Sequence, residues 1–178
     1  MTNDYLDEFY ELQEESSFRG QQWFGKRKEL VERYSWAIPT DEVIQYLSEF
    51  KSGIEIGAGN GYWSYLIREA GGSFRPIDID PPVETYMTVQ EKDIYDEIES
   101  VENQPVLMVW PPIDNSVAAD VAKEKPSHIC YVGEQRGGCT ATDTFFDIID
   151  KQYGLVGKIN IPSYTGIHDN FFHYSRIR

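Results

Sequence analysis

Apolar residues recur along this chain with two spacings, and the switch between them outlines its elements. Residues 4 to 15 set Tyr5, Leu6, Phe9, Tyr10 and Leu12 among acids, a helical spacing with one apolar face, read as a docked or partner-binding helix. Thr40 stands as an N-cap before Asp41 and Glu42, which predicts a helix to about Phe50. Strand-length apolar runs then alternate with helical stretches: a strand near 53–57, a helix near 60–71 stopped at Gly71-Gly72, and a strand near 74–78. A run from Val106 to Trp110, a helix over 117–124 and a strand from His128 to Val132 continue the alternation. Thr142 caps a helix whose Phe145, Phe146, Ile148 and Ile149 share a face, and strands near 155–161 and 171–177 close the chain. The weakest stretch is 83–104, with a short strand expected at Thr88-Val89, while Asp80 before Pro81-Pro82 reads as a cap or turn with proline at a helix start. The pattern predicts an α/β fold with a parallel sheet and helices on both faces.

The stretch Ile54-Glu55-Ile56-Gly57-Ala58-Gly59-Asn60-Gly61-Tyr62-Trp63 takes the chain from a buried strand straight into a helix. Such a turn needs positions where a Cβ would clash, and glycine supplies them. Gly57 and Gly59 also let a ligand approach the backbone, next to the amides and positive dipole of a helix N-terminus. A dinucleotide fingerprint requires its third glycine at the sixth position, which is Tyr62 here, with Gly61 at the fifth. A nicotinamide-dependent oxidoreductase is disfavoured on that ground. Some twenty residues on, the second strand ends in Asp78-Ile79-Asp80, and a carboxylate there accepts hydrogen bonds from ribose hydroxyls.

Ligands of open α/β sheets bind beyond the carboxyl ends of the strands. Pro111-Pro112 terminates the fourth strand, so Trp110, Pro111, Pro112 and Asp114 are expected to face the ligand, Trp110 being held extended by the proline that follows it. The polar loop from Gly133 to Thr140 falls on the same side. So does the nine-residue loop from Pro162 to Asn170, which brings His168 and Asp169 towards the reaction centre. Tyr34 and Trp36 read equally as core aromatics and as a cover for the site.

The 178 residues suffice for one domain with a real core, preceded by a helical extension over 1–33. Thirty acidic against sixteen basic residues give a formal charge of −14, which disfavours nucleic acid and anionic membranes as partners. The acidity serves solubility or adaptation to a salt-rich cytosol. Arg19, Lys26, Arg27, Lys28 and Arg33, interleaved with Trp23 and Phe24, read as a solvated helix face pairing with the protein's own acids rather than as a nucleic-acid site. Cys130 and Cys139 lack metal-type spacing, so no disulfide and no zinc site are expected. With no apolar run of membrane-spanning length and no secretory signal, a cytoplasmic protein is expected.

Glu55-Ile56-Gly57-Ala58-Gly59-Asn60-Gly61, together with the acidic second strand and the proline-terminated fourth strand, resembles the class I S-adenosylmethionine-dependent methyltransferases over residues 34–178. With Tyr34-Ser35-Trp36-Ala37-Ile38-Pro39, Trp110-Pro111-Pro112, Tyr131-Val132-Gly133-Glu134, Gly137-Gly138-Cys139-Thr140 and Gly166-Ile167-His168-Asp169, the chain is similar to a methyltransferase-like family of unassigned substrate. The resemblance implies a three-layer Rossmann-like fold, with a seven-stranded, mostly parallel sheet whose last strand is inserted antiparallel. It implies S-adenosylmethionine as cofactor, with Glu55, Gly57, Ala58, Gly59 and Gly61 around its methionine part, Asp78 on the ribose and Asp93 by the adenine. Trp110-Pro111-Pro112 falls where amino-group methyltransferases carry an Asn/Asp-Pro-Pro-aromatic motif. Trp110 offers no acceptor oxygen and Ile113 replaces the aromatic, a departure that speaks against adenine-type N-methylation.

Because a sulfonium is already an excellent leaving group, such a site mainly aligns an acceptor with the methyl carbon. A base is needed only where the acceptor loses a proton, and His168, Glu134 and Asp114 are the candidates in that order. Trp110, Pro111, Pro112, Tyr34 and Trp36 are the candidate acceptor contacts. The function expected is methyl transfer to a small molecule or a protein side chain. The alternative is a non-catalytic cofactor-binding or interaction module on the same fold.

Overall fold

The computed structural model describes residues 2–14 and 21–177, the side chains of 21–24 excepted. Arg19 and the side chains of Trp23 and Phe24, in the basic and aromatic segment, lie outside it. The elements run α1 (Asp4–Glu14), α2 (Gln21–Arg33), α3 (Asp41–Ser48), β1 (Gly53–Ile56), α4 (Tyr62–Glu69), β2 (Phe74–Asp78), β3 (Gln90–Glu91), β4 (Pro105–Val109), α5 (Val117–Lys123), β5 (His128–Gly133), α6 (Asp143–Gln152), β6 (Tyr153–Asn160) and β7 (Asn170–Arg176). Thr40 and Thr142 cap α3 and α6 as expected, each hydroxyl accepting from the amide three residues on.

The strands form one sheet in the order β3-β2-β1-β4-β5-β7-β6. Strands β1 to β5 pair in parallel, whereas β7 is antiparallel to both β5 and β6 between which it is inserted. Alternation of side chains across the pleat divides the core in two. Leu107, Cys130, Val132 and Phe171 meet α1, α3 and α4 on one face, while Ile54, Ile56, Val106, Met108 and Ile129 meet α5 and α6 on the other. All four residues of β1 are buried, as a central parallel strand covered on both faces requires.

Within the extension, α1 inserts Tyr5 and Phe9 into the first of these cores. The Tyr5 ring stacks on Tyr34 at 4.9 Å, and its backbone N–H donates to the Tyr62 hydroxyl. Lys26, Lys28 and Arg33 of α2 pair with Glu29, Glu32 and Glu8, which matches the solvated-face reading. Tyr62, where a dinucleotide fold needs glycine, is 2% exposed between α1 and α4.

Two local expectations need correction. Pro81-Pro82 opens no helix, and residues 79–89 run as irregular chain. The short third strand is Gln90–Glu91 rather than Thr88-Val89, because its register is set by pairing with Ile77 and Asp78. Among the described residues no helix is long and apolar enough to cross a membrane. Cys130 and Cys139 are both free, the first buried and the second exposed.

Because Phe9 is 1% exposed in the core shared with the sheet, Phe9→Ala is expected to cost about 3–5 kcal/mol. A denaturant titration followed by both circular dichroism and tryptophan fluorescence checks this: one coincident transition at lower denaturant is expected, not separate loss of α1.

Candidate functional site

Strand order reverses between β1 and β4, and the crevice beyond their carboxyl ends is where an α/β sheet has room for a ligand. Gly57, Gly59 and Gly61 lead out of β1 with φ of 69°, 54° and 77°, a left-handed backbone that side chains rarely adopt. The turn is held by the Ala58 N–H donating to the Ile77 carbonyl at 3.0 Å and the Gly59 N–H donating to Asp78 Oδ2 at 2.7 Å. A Cβ built on Gly57 or Gly59 would meet nothing within 4 Å, so those two positions border open space. On Gly61 it would stand 2.9 Å from Val89 and 3.2 Å from Met87. Gly61 therefore shapes the start of α4.

Two adjoining cavities share Trp36, Gly57, Gly59 and Val109 in their walls. The larger, about 460 Å³, extends over Asp78, Ile79, Asp93, Ile94 and Tyr95 to Trp110, Pro111 and Pro112. The smaller, about 150 Å³, is bounded by Glu55, Ala58, Tyr34 and Glu32, the last from α2. Four carboxylates thus line the two cavities, against Lys92, whose ammonium is paired with Glu97 at 2.6 Å. Such walls suit a cation and hydroxyl donors; a pyrophosphate would find little to hold it.

Each acid has a definite posture. Asp78 Oδ1 accepts from the Asp80 N–H at 2.9 Å while Oδ2 holds Gly59, so this carboxylate positions the turn as well as lining the cavity. Asp93 accepts from the Tyr95 N–H and caps a short 3₁₀ turn at the wall. Glu55 is 1% exposed, and its Oε2 accepts from both the amide and the hydroxyl of Ser64. Burial pushes its carboxyl up to about 7 against the opposing effect of the Ser64 bonds.

Trp110 departs from the extended backbone expected of it, with φ of 52°. A proline that follows biases a residue towards extended backbone and a positive φ is uncommon for a bulky side chain, so this backbone is strained; the indole is held by two contacts. Its N–H donates to Asp169 Oδ2 at 2.8 Å, and its face stacks on Trp36 at 5.1 Å between centroids, 12° from parallel. Trp36 is 54% exposed and forms an aromatic rim, whereas Tyr34 is 4% exposed and donates its hydroxyl to Glu8. Tyr34 is thus a core aromatic that also borders the smaller cavity.

None of the three candidate bases lines either cavity. Asp114 is an exposed loop residue. Glu134 is 5% exposed with both oxygens engaged: Oε1 accepts from the His168 N–H at 2.8 Å, with His168 Nδ1 at 3.3 Å, and Oε2 accepts from the Cys139 N–H at 2.7 Å. Burial raises its carboxyl, yet these bonds outweigh that effect and hold it below the usual carboxylate range. Glu134 ties the β5 and β6–β7 loops together, and the His168 side chain is 83% exposed with its Nδ1 against Glu134.

Two residues outside the candidate set occupy central places. Asn60 donates through Nδ2 to the Arg33 carbonyl and accepts from the Tyr62 N–H through Oδ1, which fastens α2 to the glycine turn. Its signal in the sequence is an Asn just before a helix, a capping residue. Asp169 is 5% exposed behind Trp110, and no spacing in the sequence connects residues 59 positions apart.

Gly59→Ala is expected to fold with a loss of about 1 kcal/mol from backbone conformation alone, and Gly61→Ala to lose more because its methyl also meets Val89 and Met87; urea titration of both variants checks the order. Since the folded state raises the Glu55 carboxyl to about 7, the stability linked to its protonated form is lost as pH rises from about 4.5 through 7. Glu55→Gln is expected to gain stability relative to the parent over that window, as measured by denaturation at pH 4.5, 6 and 8.

No family model matches the chain, and no curated protein matches it. Among solved structures it is similar to magnesium protoporphyrin IX methyltransferase of Synechocystis, solved with bound S-adenosylmethionine: 12% identity, 98% of this chain and 95% of that one, TM-score 0.60. A S-adenosylmethionine-dependent methyltransferase from Archaeoglobus fulgidus matches 88% of this chain and 100% of its own at 14% identity, TM-score 0.60. The Burkholderia thailandensis 1,6-didemethyltoxoflavin-N1-methyltransferase, solved with 1,6-didemethyltoxoflavin and S-adenosylhomocysteine, matches 92% of this chain and 93% of its own at 12% identity, TM-score 0.53. The chain has the three-layer fold of the class I S-adenosylmethionine-dependent methyltransferases, with a seven-stranded sheet and an antiparallel inserted strand.

Proposed function

We propose that the protein binds S-adenosylmethionine between β1 and β4 and transfers its methyl group to a small molecule or a protein side chain. The observation that carries this reading is the left-handed glycine turn whose Gly57 and Gly59 face open space beside a cavity of about 460 Å³. The residues present fit the cofactor. Gly57, Ala58 and Gly59 give close backbone approach, Glu55 and Glu32 suit an ammonium, Asp78 has lone pairs left for ribose hydroxyls, and Ile79, Ile94 and Tyr95 make an apolar slot for adenine beside Asp93. The likeness to methyltransferases crystallised with S-adenosylmethionine or S-adenosylhomocysteine supports the same assignment.

When bound, the cofactor supplies an activated methyl group. The chain's own work is then to orient and to exclude water, for which alignment is worth several kcal/mol in reactions of this kind. Asp78 and the Ala58–Ile77 bond hold the turn rigid, and the Trp36–Trp110 stack walls the crevice. The formal charge of −14 favours a small-molecule or protein acceptor over nucleic acid.

A second reading, cofactor binding without turnover, draws on the placement of Asp114, Glu134 and His168 outside both cavities. Calorimetric titration with S-adenosylmethionine and S-adenosylhomocysteine tests what both readings share. Micromolar affinity is expected for the parent and its loss in Gly59→Arg, whose side chain would fill the cradle; no binding by folded parent protein overturns both.

A further inference from the structure

Asp169 reaches the end of β4 from the loop between β6 and β7, and its surroundings are unusual for a carboxylate. It is 5% exposed; Oδ2 is held by the Trp110 indole N–H at 2.8 Å, and Oδ1 is buried with no hydrogen-bond partner among the described residues. A buried carboxylate with one bare oxygen is costly when ionised, and burial pushes its carboxyl up to about 6 although the indole bond opposes this. The groups facing it are Arg27 on α2, Tyr5 on α1, Tyr131 on β5, Glu134 and Cys139 in the following loop and its neighbour His168. Arg27 favours the ionised form and Glu134 opposes it. The guanidinium lies over the Tyr164 ring, and its Nε is buried with no hydrogen-bond partner among the described residues.

The indole connects this carboxylate to the cavity. Trp110 lines the larger cavity, one face of its ring is stacked on Trp36, and its N–H is committed to Asp169. An aromatic face attracts a cation, and a carboxylate on the ring's N–H edge adds a full negative charge to that attraction. Resting on the cofactor reading above, we propose that the Asp169–Trp110 pair is the specificity element that distinguishes the methyl donor, with its sulfonium charge, from the demethylated product, whose sulfur is neutral. The cation favours the carboxylate over the carboxylic acid, so binding of the donor releases the Asp169 proton to solvent. Once the methyl group has left, the charge is gone, the carboxyl recovers its proton and the product is held less tightly. The two ligands share their amino, carboxyl and ribose groups, so Glu55 and Asp78 act on both and cancel in the comparison.

Calorimetry with each ligand, in buffers of different ionisation enthalpy at pH 5, 6 and 7.5, tests this. The ratio of donor to product affinity is expected to rise roughly fivefold from pH 5 to 7.5, as a downward shift of about one pKa unit in a carboxyl near 6 gives over that range. Net proton release at pH 6 should be greater with the donor than with the product, since the release from Glu55 is common to both and only the donor adds that of Asp169. Asp169→Asn keeps an oxygen for the Trp110 N–H but cannot ionise; its donor-to-product affinity ratio should be flat with pH, and its proton release should be the same for both ligands. Its thermal unfolding, matched to the parent, shows that the fold is kept, and the parent's own pH profile stands independently of the variant. Equal proton linkage for both ligands, or linkage unchanged in Asp169→Asn, overturns this inference and leaves the cofactor reading intact. Failure of both ligands to bind overturns the two together.

Discussion

The bond from the Gly59 amide to Asp78 Oδ2 joins the turn after β1 to the end of β2, and the crevice takes its shape from it. A backbone at φ of 54° to 77° through three glycines has many alternatives in the unfolded chain, and glycine carries the largest entropic cost of ordering. Two tethers from one neighbouring strand, the Asp78 carboxylate and the Ile77 carbonyl, remove that freedom. Asn60 then extends the tether to α2, so the N-terminal helices, the central strand and the cavity wall are mechanically one unit.

Electrostatics in the crevice follows from the same arrangement. Carboxylates stand at the ends of three strands, Asp78 closing β2, Glu134 after β5 and Asp169 before β7, and they are held in two ways. Asp78 and Glu134 are neutralised by backbone amides and hold loops in place. Asp169 receives one indole N–H and keeps one bare buried oxygen, which makes it the carboxylate most responsive to a charge entering the cavity. The strained Trp110 backbone, of a kind that costs about 1–3 kcal/mol, is the device that brings it there.

Much of the fold was legible because strong local signals coincide with tertiary roles. The glycines, the Thr40 and Thr142 caps and the strand alternation each state a backbone requirement in residue type, and the structure meets each. The third strand was poorly legible since two exposed residues, Gln90 and Glu91, carry no hydrophobic pattern and pair only because β2 lies beside them. The placement of the candidate bases was poorly legible for a related reason: a polar residue in a crevice-side loop says nothing of which way its side chain turns. His168 and Asp169 are neighbours in sequence, yet one is mostly solvent-exposed and the other buried behind Trp110. Trp110 itself appeared in the sequence as the loss of an acceptor oxygen, and only the structure shows the carboxylate that its N–H holds there.

The central claim, that the crevice between β1 and β4 is a cofactor site, is tested most directly by amide hydrogen exchange with and without S-adenosylhomocysteine. The account predicts slowed exchange at residues 57–61, 78–79, 93–95 and 108–110, with β6 unchanged. Uniform behaviour with and without ligand, or protection confined to other parts of the chain, would contradict it.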